Sequence, residues 1–292
     1  FEYSIDLFKE STISRMLEHF RNLLKQACLN PQFRLSELEI LSEQERKTLL
    51  ADWSGNIPLL DTSEKTVVDI FEDITGIFDS KTAALDLHGD SGVPVELSYS
   101  DLNRKSNQLA RGLKSRGVGP ETCVAILLEP FRFMIIGILG ILKSQAAYVP
   151  LDSKYPQKRI EFILNDTKAP FVITDQANEK TVQGLIENST LSNRPEIICL
   201  DRDWDDFRQF SSDNVIEKPT RSNAAYVIYT SGSTGIPKGV IIEHEALSAF
   251  VKSAVKLYGI SAPDRIQQFA SPSFDASVEE IFCALCSGAT LR

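Results

Sequence analysis

The sequence predicts an α/β fold with largely parallel sheets. Three observations carry that expectation. Short apolar strands alternate with helical stretches from about residue 60 onward, the 292-residue chain is 42% hydrophobic and 24% charged, and a loop of hydroxyls and glycines joins two of the strands. Such a balance is ordinary for a globular protein and allows one large domain or two average ones.

Ahead of the alternating region lies a short helical leader. Ile13, Met16, Leu17, Phe20, Leu23, Leu24 and Ala27 recur at three- and four-residue spacings, so residues 11–29 form a helix with one apolar face that must dock on something. An extended segment, Phe1 to Leu7, precedes it, and the polar stretch Asn30 to Ser42 follows. Ser42 with Glu45 makes a capping box, which starts a second helix running to about Trp53. Ser54, Gly55, Asn56 and Pro58 then break the pattern and mark a boundary near residue 60.

Beyond the boundary, a helix at Val67 to Ile74 leads to a strand pair at Ala83 to Leu87 and Val95 to Tyr99, and a helix runs from Ser100 to Gly117. Strands follow at Cys123 to Leu128, Ala146 to Leu151, Phe171 to Thr174, Ile197 to Leu200, Ala224 to Tyr229, Val240 to Ile242 and Ile266 to Ala270. Helices begin at Phe131 and Pro156 and fill Glu245 to Tyr258 and Ser277 to Leu285. No internal repeat or low-complexity tract interrupts the pattern.

Composition excludes several classes of function. A formal net charge of -9 argues against a nucleic-acid or anionic-membrane partner, so any phosphate must be held locally. The longest apolar run, Phe133 to Leu142, is about half of the roughly 20 residues that span a bilayer, and reads as a buried helix. Five scattered cysteines suit a reduced, cytoplasmic protein. Cys283 and Cys286 form a C-x-x-C, but with no second pair and no nearby histidine they read as core packing, not as a metal or redox site. No metal ligands are expected. No signal peptide opens the chain, and the sequons at Asn165 and Asn188 read as accidental matches. A start at Phe1 and an abrupt stop at Arg292 suggest a piece of something larger.

The strongest chemical signal is the loop Tyr229-Thr-Ser-Gly-Ser-Thr-Gly-Ile-Pro-Lys-Gly239. Its glycines let backbone N–H groups approach an anion, its hydroxyls add donors, and Lys238 brings a mobile charge. A Walker A loop is excluded, because Pro237 stands where that motif needs its second glycine. By composition alone a flexible Gly/Ser surface hairpin is the lesser alternative. The string as a whole, however, resembles the signature loop of the adenylate-forming enzymes, YTSG[ST]TG-x-PKG. That resemblance implies that Thr230, Ser231, Gly232, Ser233, Thr234, Gly235 and Lys238 close on the β and γ phosphates of ATP, with Lys238 in a catalytic role.

Three further stretches resemble the amino-acid adenylation domains of nonribosomal peptide synthetases in particular. Leu97-Ser-Tyr-Ser-Asp-Leu102 matches L-[TS]-Y-x-[ED]-L. Leu142 to Pro156 matches LKAGxAYVPIDPxYP, departing at Ser144, Gln145 and Ser153, and the glycine missing at 145 would alter a turn. Phe274-Asp-Ala-Ser277 matches the substrate-pocket motif F-D-x-S, which implies that Asp275 pairs with the α-ammonium of the amino acid and that Ala276 lies beside it. Taken alone, Asp275 reads as a helix N-cap. Glu279, four residues on, lines the side-chain pocket by the same resemblance and would suit a cationic or hydrogen-bonding substrate. A solvated helix face explains Glu279 and Glu280 as well. His244 often stands at this point in the family and is read as bracing the next helix, not as a base. Residues 1–33 resemble the end of a condensation domain, 34–60 its linker, and 61–292 the front part of the large N-terminal subdomain of the adenylate-forming fold. Only His19, His88 and His244 occur, so no HHxxxDG motif is present and condensation chemistry is not expected here.

The implied cofactors are ATP and Mg²⁺, with phosphopantetheine on a separate carrier domain. The implied partners are the amino acid and the neighbouring carrier and condensation domains. The family's adenine segment, ribose-binding aspartate, hinge and C-terminal catalytic lysine do not occur before Arg292, so the polypeptide by itself is expected to adenylate poorly. Two rival readings stand beside this one. An acyl-CoA or aryl-acid ligase of the same superfamily has no ammonium to pair with Asp275, and a noncatalytic scaffold fragment would keep the fold without turnover.

Overall fold

The apolar spacing of residues 11–29 produces helix α1 (Glu10–Leu29) in the first of the two units into which the chain divides, Phe1–Leu60 and Asp61–Arg292. The structure, a computed structural model, describes residues 2–53, 64–87, 93–129, 131–231 and 237–292. Ile13 is buried, whereas Met16, Phe20 and Leu24 on the same stripe stay about half exposed. Ser42 starts α2 (Glu43–Lys47) through the expected capping box: Glu45 N donates to Ser42 Oγ at 3.2 Å and Ser42 N to Glu45 Oε2 at 3.1 Å. A wider turn over Thr48–Asp52 continues that helix. Gln26 fastens the stretch between the helices, donating to the Glu39 carbonyl at 2.6 Å and accepting from Glu39 N at 3.0 Å. Ser54, Gly55, Asn56 and Pro58, on which the expected boundary rests, lie outside the described residues, as does His88.

The second unit opens with α3 (Val67–Ile77), capped by Thr66 and Asp69. An antiparallel pair, β1 (Thr82–Asp86) and β2 (Val95–Ser98), follows, then α4 (Tyr99–Ser115), β3 (Cys123–Leu127), α5 (Phe131–Lys143) and β4 (Ala147–Pro150). Next come α6 (Gln157–Thr167), β5 (Phe171–Thr174), α7 (Gln176–Glu187), β6 (Glu196–Cys199) and α8 (Trp204–Arg208). The chain closes with β7 (Ala224–Thr230), β8 (Lys238–Glu243), α9 (His244–Tyr258), β9 (Arg265–Ile266), α10 (Asp275–Leu285) and β10 (Thr290–Leu291).

Among the described residues the strands form two sheets, ordered β6-β5-β3-β4-β7-β8 and β2-β1-β10-β9. In the larger sheet every pairing is parallel except that of β8 with β7. Parallel strands need helical crossovers, and these cover both faces. The alternation along β3 shows the result. Val124 and Ile126 join the core that includes α3, α4, α5, α9 and α10, while Ala125 and Leu127 join a second core under α6 and α7. The apolar run read as a buried helix is α5, buried from Met134 to Lys143. Among the described residues no helix is long and apolar enough to cross a membrane.

Several expectations are corrected. The strand expected over Ile266 to Ala270 is reduced to Arg265–Ile266, because the N–H groups of Phe269 and Ala270 are taken by the Glu280 carboxylate at 3.0 and 3.1 Å rather than by a neighbouring strand. Helices α7 and α8 have no counterpart in the sequence reading. The missing glycine at 145 does not alter the turn: Gln145 adopts φ +73 and its side-chain amide donates to the Lys218 carbonyl at 2.8 Å.

Two basic groups among the described residues lie wholly inside. Lys143 is fully buried; its Nζ donates to Asn107 Oδ1 at 2.7 Å and to Asn103 Oδ1, and sits 3.5 Å from Glu72. Lys218 meets the other oxygen of Glu72 at 2.6 Å and Asp69 at 2.9 Å. Burial pulls the Lys143 ammonium down to about 7, against the attraction of Glu72. His244, the first residue of α9, is also fully buried, and among the described residues neither ring nitrogen has a partner. Burial lowers its pKa from 6.5 to about 4, opposed by the charge of Asp69.

Two tests follow from this packing. A Cβ at Gly140 would come 2.5 Å from Leu109 Cδ2, so Gly140→Val should lower the unfolding free energy by about 2–3 kcal/mol through overpacking of α5 on α4, read from urea denaturation. For His244, the unfolded chain takes up a proton below pH 6.5 but the folded chain resists protonation down to about 4. Stability is therefore unaffected above that window and falls through it, by about 3 kcal/mol in all. Denaturation midpoints of His244→Phe between pH 7 and 4 should decline less steeply than those of the parent; parallel declines would remove His244 as an acid-sensitive group.

Candidate active site

Strand β7 builds the site by its period-two alternation. Val227 and Tyr229 turn toward the core under α6, and Tyr226 and Ile228 toward the opposite one. The Tyr229 hydroxyl donates to Asp166 Oδ2 at 2.5 Å, and burial, reinforced by that contact, pushes its pKa up. Strand β8 returns antiparallel with Thr230 opposite Lys238 and Tyr229 opposite Gly239. A side chain at 239 would come 2.9 Å from the Tyr229 ring, so glycine is required there by contact.

At the end of this hairpin a cavity of about 420 Å³ is lined by Arg159, Tyr226, Thr230, Ser231, Phe274 and Asp275, among others. A second cavity, of about 460 Å³, is lined by Ala246, Leu247, Phe250, Ala276, Val278 and Glu279. Tyr226, Ile242 and Asp275 line both, so the two meet at Asp275. Of the residues expected to hold phosphate, Thr230 and Ser231 are exposed to the first cavity, while Gly232, Ser233, Thr234 and Gly235 lie outside the described residues. Lys238 is exposed at the start of β8 and is not part of the cavity wall.

Asp275 is the first residue of α10, but Phe274 occupies the cap position and no side chain caps the helix. The capping alternative therefore has no bond to support it. Among the described residues the Asp275 carboxylate accepts no hydrogen bond, and it contributes, after burial, to raising the Tyr226 phenol's pKa. Ala276 is exposed and Glu279 half-buried on the second cavity. The Glu279 charge raises the pKa of the Tyr258 phenol, so that carboxylate already has a polar neighbour.

What fixes Asp275 in place is the loop of residues 267–274. Glu280 takes the N–H groups of Phe269 and Ala270, so it is an anchor rather than a member of a solvated helix face. Ser271 Oγ donates to Asp152 Oδ2 at 2.8 Å, just beyond the end of β4, and lies 2.9 Å from Ser273 Oγ. Ser277 Oγ donates to the Phe274 carbonyl at 2.6 Å. Asp152 and Arg159 escaped the sequence reading, and Glu280 was read there only as part of a solvated face. For Arg159 the available signal was a basic first turn in α6 directly after Pro156; for the two carboxylates there was none.

Other candidates carry no comparable chemistry. A cavity of about 540 Å³ is lined by Arg104, Lys105, Trp204 and Arg208, but Arg104 is paired with Asp101 at 2.6 Å and Arg208 with Asp205 at 3.3 Å. Cys283 and Cys286 are buried free thiols in α10, and burial pushes Cys283 up to about 12 and Cys286 upward as well. Such thiols stay protonated and unreactive.

Comparisons with known proteins bear on the family and the fold. Residues 78–292 match the AMP-binding enzyme family, and residues 1–50 match the condensation domain family. A linear gramicidin synthase of Brevibacillus parabrevis is 40% identical over 293 residues, covering 100% of this chain and 4% of that protein. Bacitracin synthase 3 of Bacillus licheniformis is 39% identical over 293 residues, covering 99% of this chain and 4% of that protein. The chain thus spans a small fraction of the curated relatives it matches. The crystal structure of the nonribosomal peptide synthetase FmoA3 in its α-methyl-L-serine-AMP-bound form shares the fold, with a TM-score of 0.80 at 23% identity over 97% of this chain and 30% of that one.

Proposed function

The chain belongs to the AMP-binding enzyme family, and from that premise we propose that it supplies the nucleotide- and amino-acid-binding part of an adenylation domain in a nonribosomal peptide synthetase. On this reading residues 1–33 end a condensation domain, 34–60 link it onward, and 61–292 form the front of the large adenylation subdomain. The condensation-family match over residues 1–50 supports the first assignment.

One observation carries the reading: an uncapped, unpaired carboxylate, Asp275, stands where two cavities meet, one with the Thr230 and Ser231 hydroxyls, the other with Ala276 and Glu279. A desolvated ammonium needs a charge-assisted acceptor, and Asp275 offers one with no competing bond among the described residues. The amino-acid carboxylate then lies between Asp275 and the hydroxyls. Its oxygen attacks the α phosphorus of ATP, a new P–O bond forms, and the bond from the α phosphorus to the bridging oxygen breaks to release pyrophosphate. No strong base is required, because the attacking carboxylate is already ionised. Such transfers depend on positioning and charge neutralisation, which is the role assigned to Thr230, Ser231, Lys238 and the glycine loop between them. Mg²⁺ would arrive with the nucleotide and would supply charge neutralisation at its phosphates; among the described residues no cluster of acidic, histidine or cysteine side chains could hold it alone. The aminoacyl-AMP passes to a phosphopantetheine thiol on a carrier domain.

An acyl-CoA or aryl-acid ligase is the second reading, and unpaired Asp275 counts against it, since such acids bring no ammonium. Amino-acid-dependent ATP–pyrophosphate exchange by the protein that carries this chain separates the two. Asp275→Ala should cut exchange by about 100-fold or more, the cost of removing the charge-assisted acceptor of the ammonium. Glu279→Gln should change the ranking of amino acids while leaving the apparent ATP affinity alone. Exchange driven by aryl or fatty acids and insensitive to Asp275 would establish the alternative.

A further inference from the structure

We propose that Arg159 is a phosphate-binding residue of this site, a second cation that grips the polyphosphate of ATP and the pyrophosphate leaving group. The inference rests on the adenylation reading and adds to it a residue from a different element, α6.

The environment of Arg159 is that of a cation built to meet an anion. Its guanidinium lies 4.1 Å from the centre of the Tyr155 ring, stacked and immobilised. One terminal nitrogen, Nη2, donates to the Tyr229 carbonyl at 3.2 Å. Nε is buried and has no hydrogen-bond partner among the described residues. No carboxylate among them lies within ion-pair distance of the group, in contrast to Arg104, Arg202 and Arg208, each of which has one. A half-buried guanidinium without a counterion is unfavourable unless the counterion arrives with a ligand.

Position within the fold names the ligand's charge and chemistry. Arg159 is in the first turn of α6, beside Lys158 and with no acidic residue in that turn. The aligned peptide dipoles already make this end positive, so cations there raise the potential instead of balancing it. That arrangement disfavours the empty helix end and favours a bound anion. The carbonyl that Arg159 holds belongs to Tyr229, directly before Thr230 and Ser231, so the guanidinium shares a cavity wall with the phosphate-side hydroxyls. Asp275 borders the same cavity. The cavity therefore has a cationic and an anionic contributor, which suits a ligand pair whose polyphosphate goes to Arg159 and whose ammonium goes to Asp275. A planar fork of donors fits non-bridging phosphate oxygens better than the single charge of a lysine.

Pyrophosphate exchange on Arg159→Gln and Arg159→Lys, in the protein that carries this chain, tests the idea. With the thermal midpoint unchanged, Arg159→Gln should raise the apparent KM for MgATP and the half-saturating concentration of pyrophosphate by about 10- to 100-fold. The KM for the amino acid should stay within about threefold, and Arg159→Lys should recover part of the loss. Unchanged nucleotide and pyrophosphate dependence in a folded Arg159→Gln would overturn the proposal while leaving adenylation intact. A matched loss for amino acid and nucleotide would also overturn it, assigning Arg159 to support of Tyr229. Absence of exchange in the unmodified protein would remove the adenylation reading and this inference together.

Discussion

Everything in the second unit hangs on strand β7 being buried on both faces at the edge of a parallel run. A strand in that position has no freedom to slip, because a shift of one residue would exchange every side chain between two cores. Tyr226 must face α10 and Tyr229 must face α6, and the hydroxyl of Tyr229 is fixed further by Asp166 at 2.5 Å. The strand consequently ends at one defined place, and the hydroxyls of Thr230 and Ser231 emerge there. Strand β8 turns back antiparallel, and the close approach of Gly239 to the Tyr229 ring locks its register. Thr230 and Ser231, at the start of the proposed phosphate loop, are thus held at the end of a buried strand, where ligand-binding residues of α/β folds commonly lie.

The other half of the candidate site is placed by charge rather than by apolar packing. Glu280 satisfies two backbone N–H groups of the segment before α10, and Asp152, beyond the end of β4, accepts from Ser271 in the same segment. One loop is thereby held from both sides. Asp275 is left with no structural duty, which distinguishes it from its acidic neighbours. Three carboxylates close in space have separate tasks: two order backbone, and the third stays available.

Much of this was legible in the sequence, and what was not has identifiable causes. Strands such as Phe171–Thr174 and the buried helix α5 declare themselves because burial on all sides leaves a continuous apolar run. The capping box at Ser42 and Glu45 is local and was read from spacing alone. Helix α7 is mostly polar and buries few residues, so its period is weak. The shortened β9 could not be foreseen, since the group that takes its N–H donors lies about ten residues downstream on a helix. No local spacing marks Lys143 as buried, and only the fold surrounds it with Glu72, Asn103 and Asn107. Asp275 taken alone reads as a cap and the whole motif points to a substrate ligand; the cap is excluded because Phe274 takes that position. The proposed phosphate loop is the plainest feature in the sequence, yet Gly232 to Gly235 lie outside the described residues, and of the residues expected to hold phosphate the structure describes only Thr230, Ser231 and Lys238 at its ends.

With a formal net charge of -9, the distant field of the molecule repels a nucleotide, so on the proposed reading attraction must come from groups close to the phosphates. Lys238 is exposed and its charge is screened, whereas the Arg159 guanidinium is half-buried and stacked on Tyr155. An interaction with the buried group survives salt better and costs less ordering, because its geometry is set before the ligand arrives. An acidic carboxylate at Asp275 on the same cavity would repel a polyphosphate that entered the wrong way round. Opposite charges on one wall therefore select orientation as well as affinity, and they do so without help from the rest of an acidic surface.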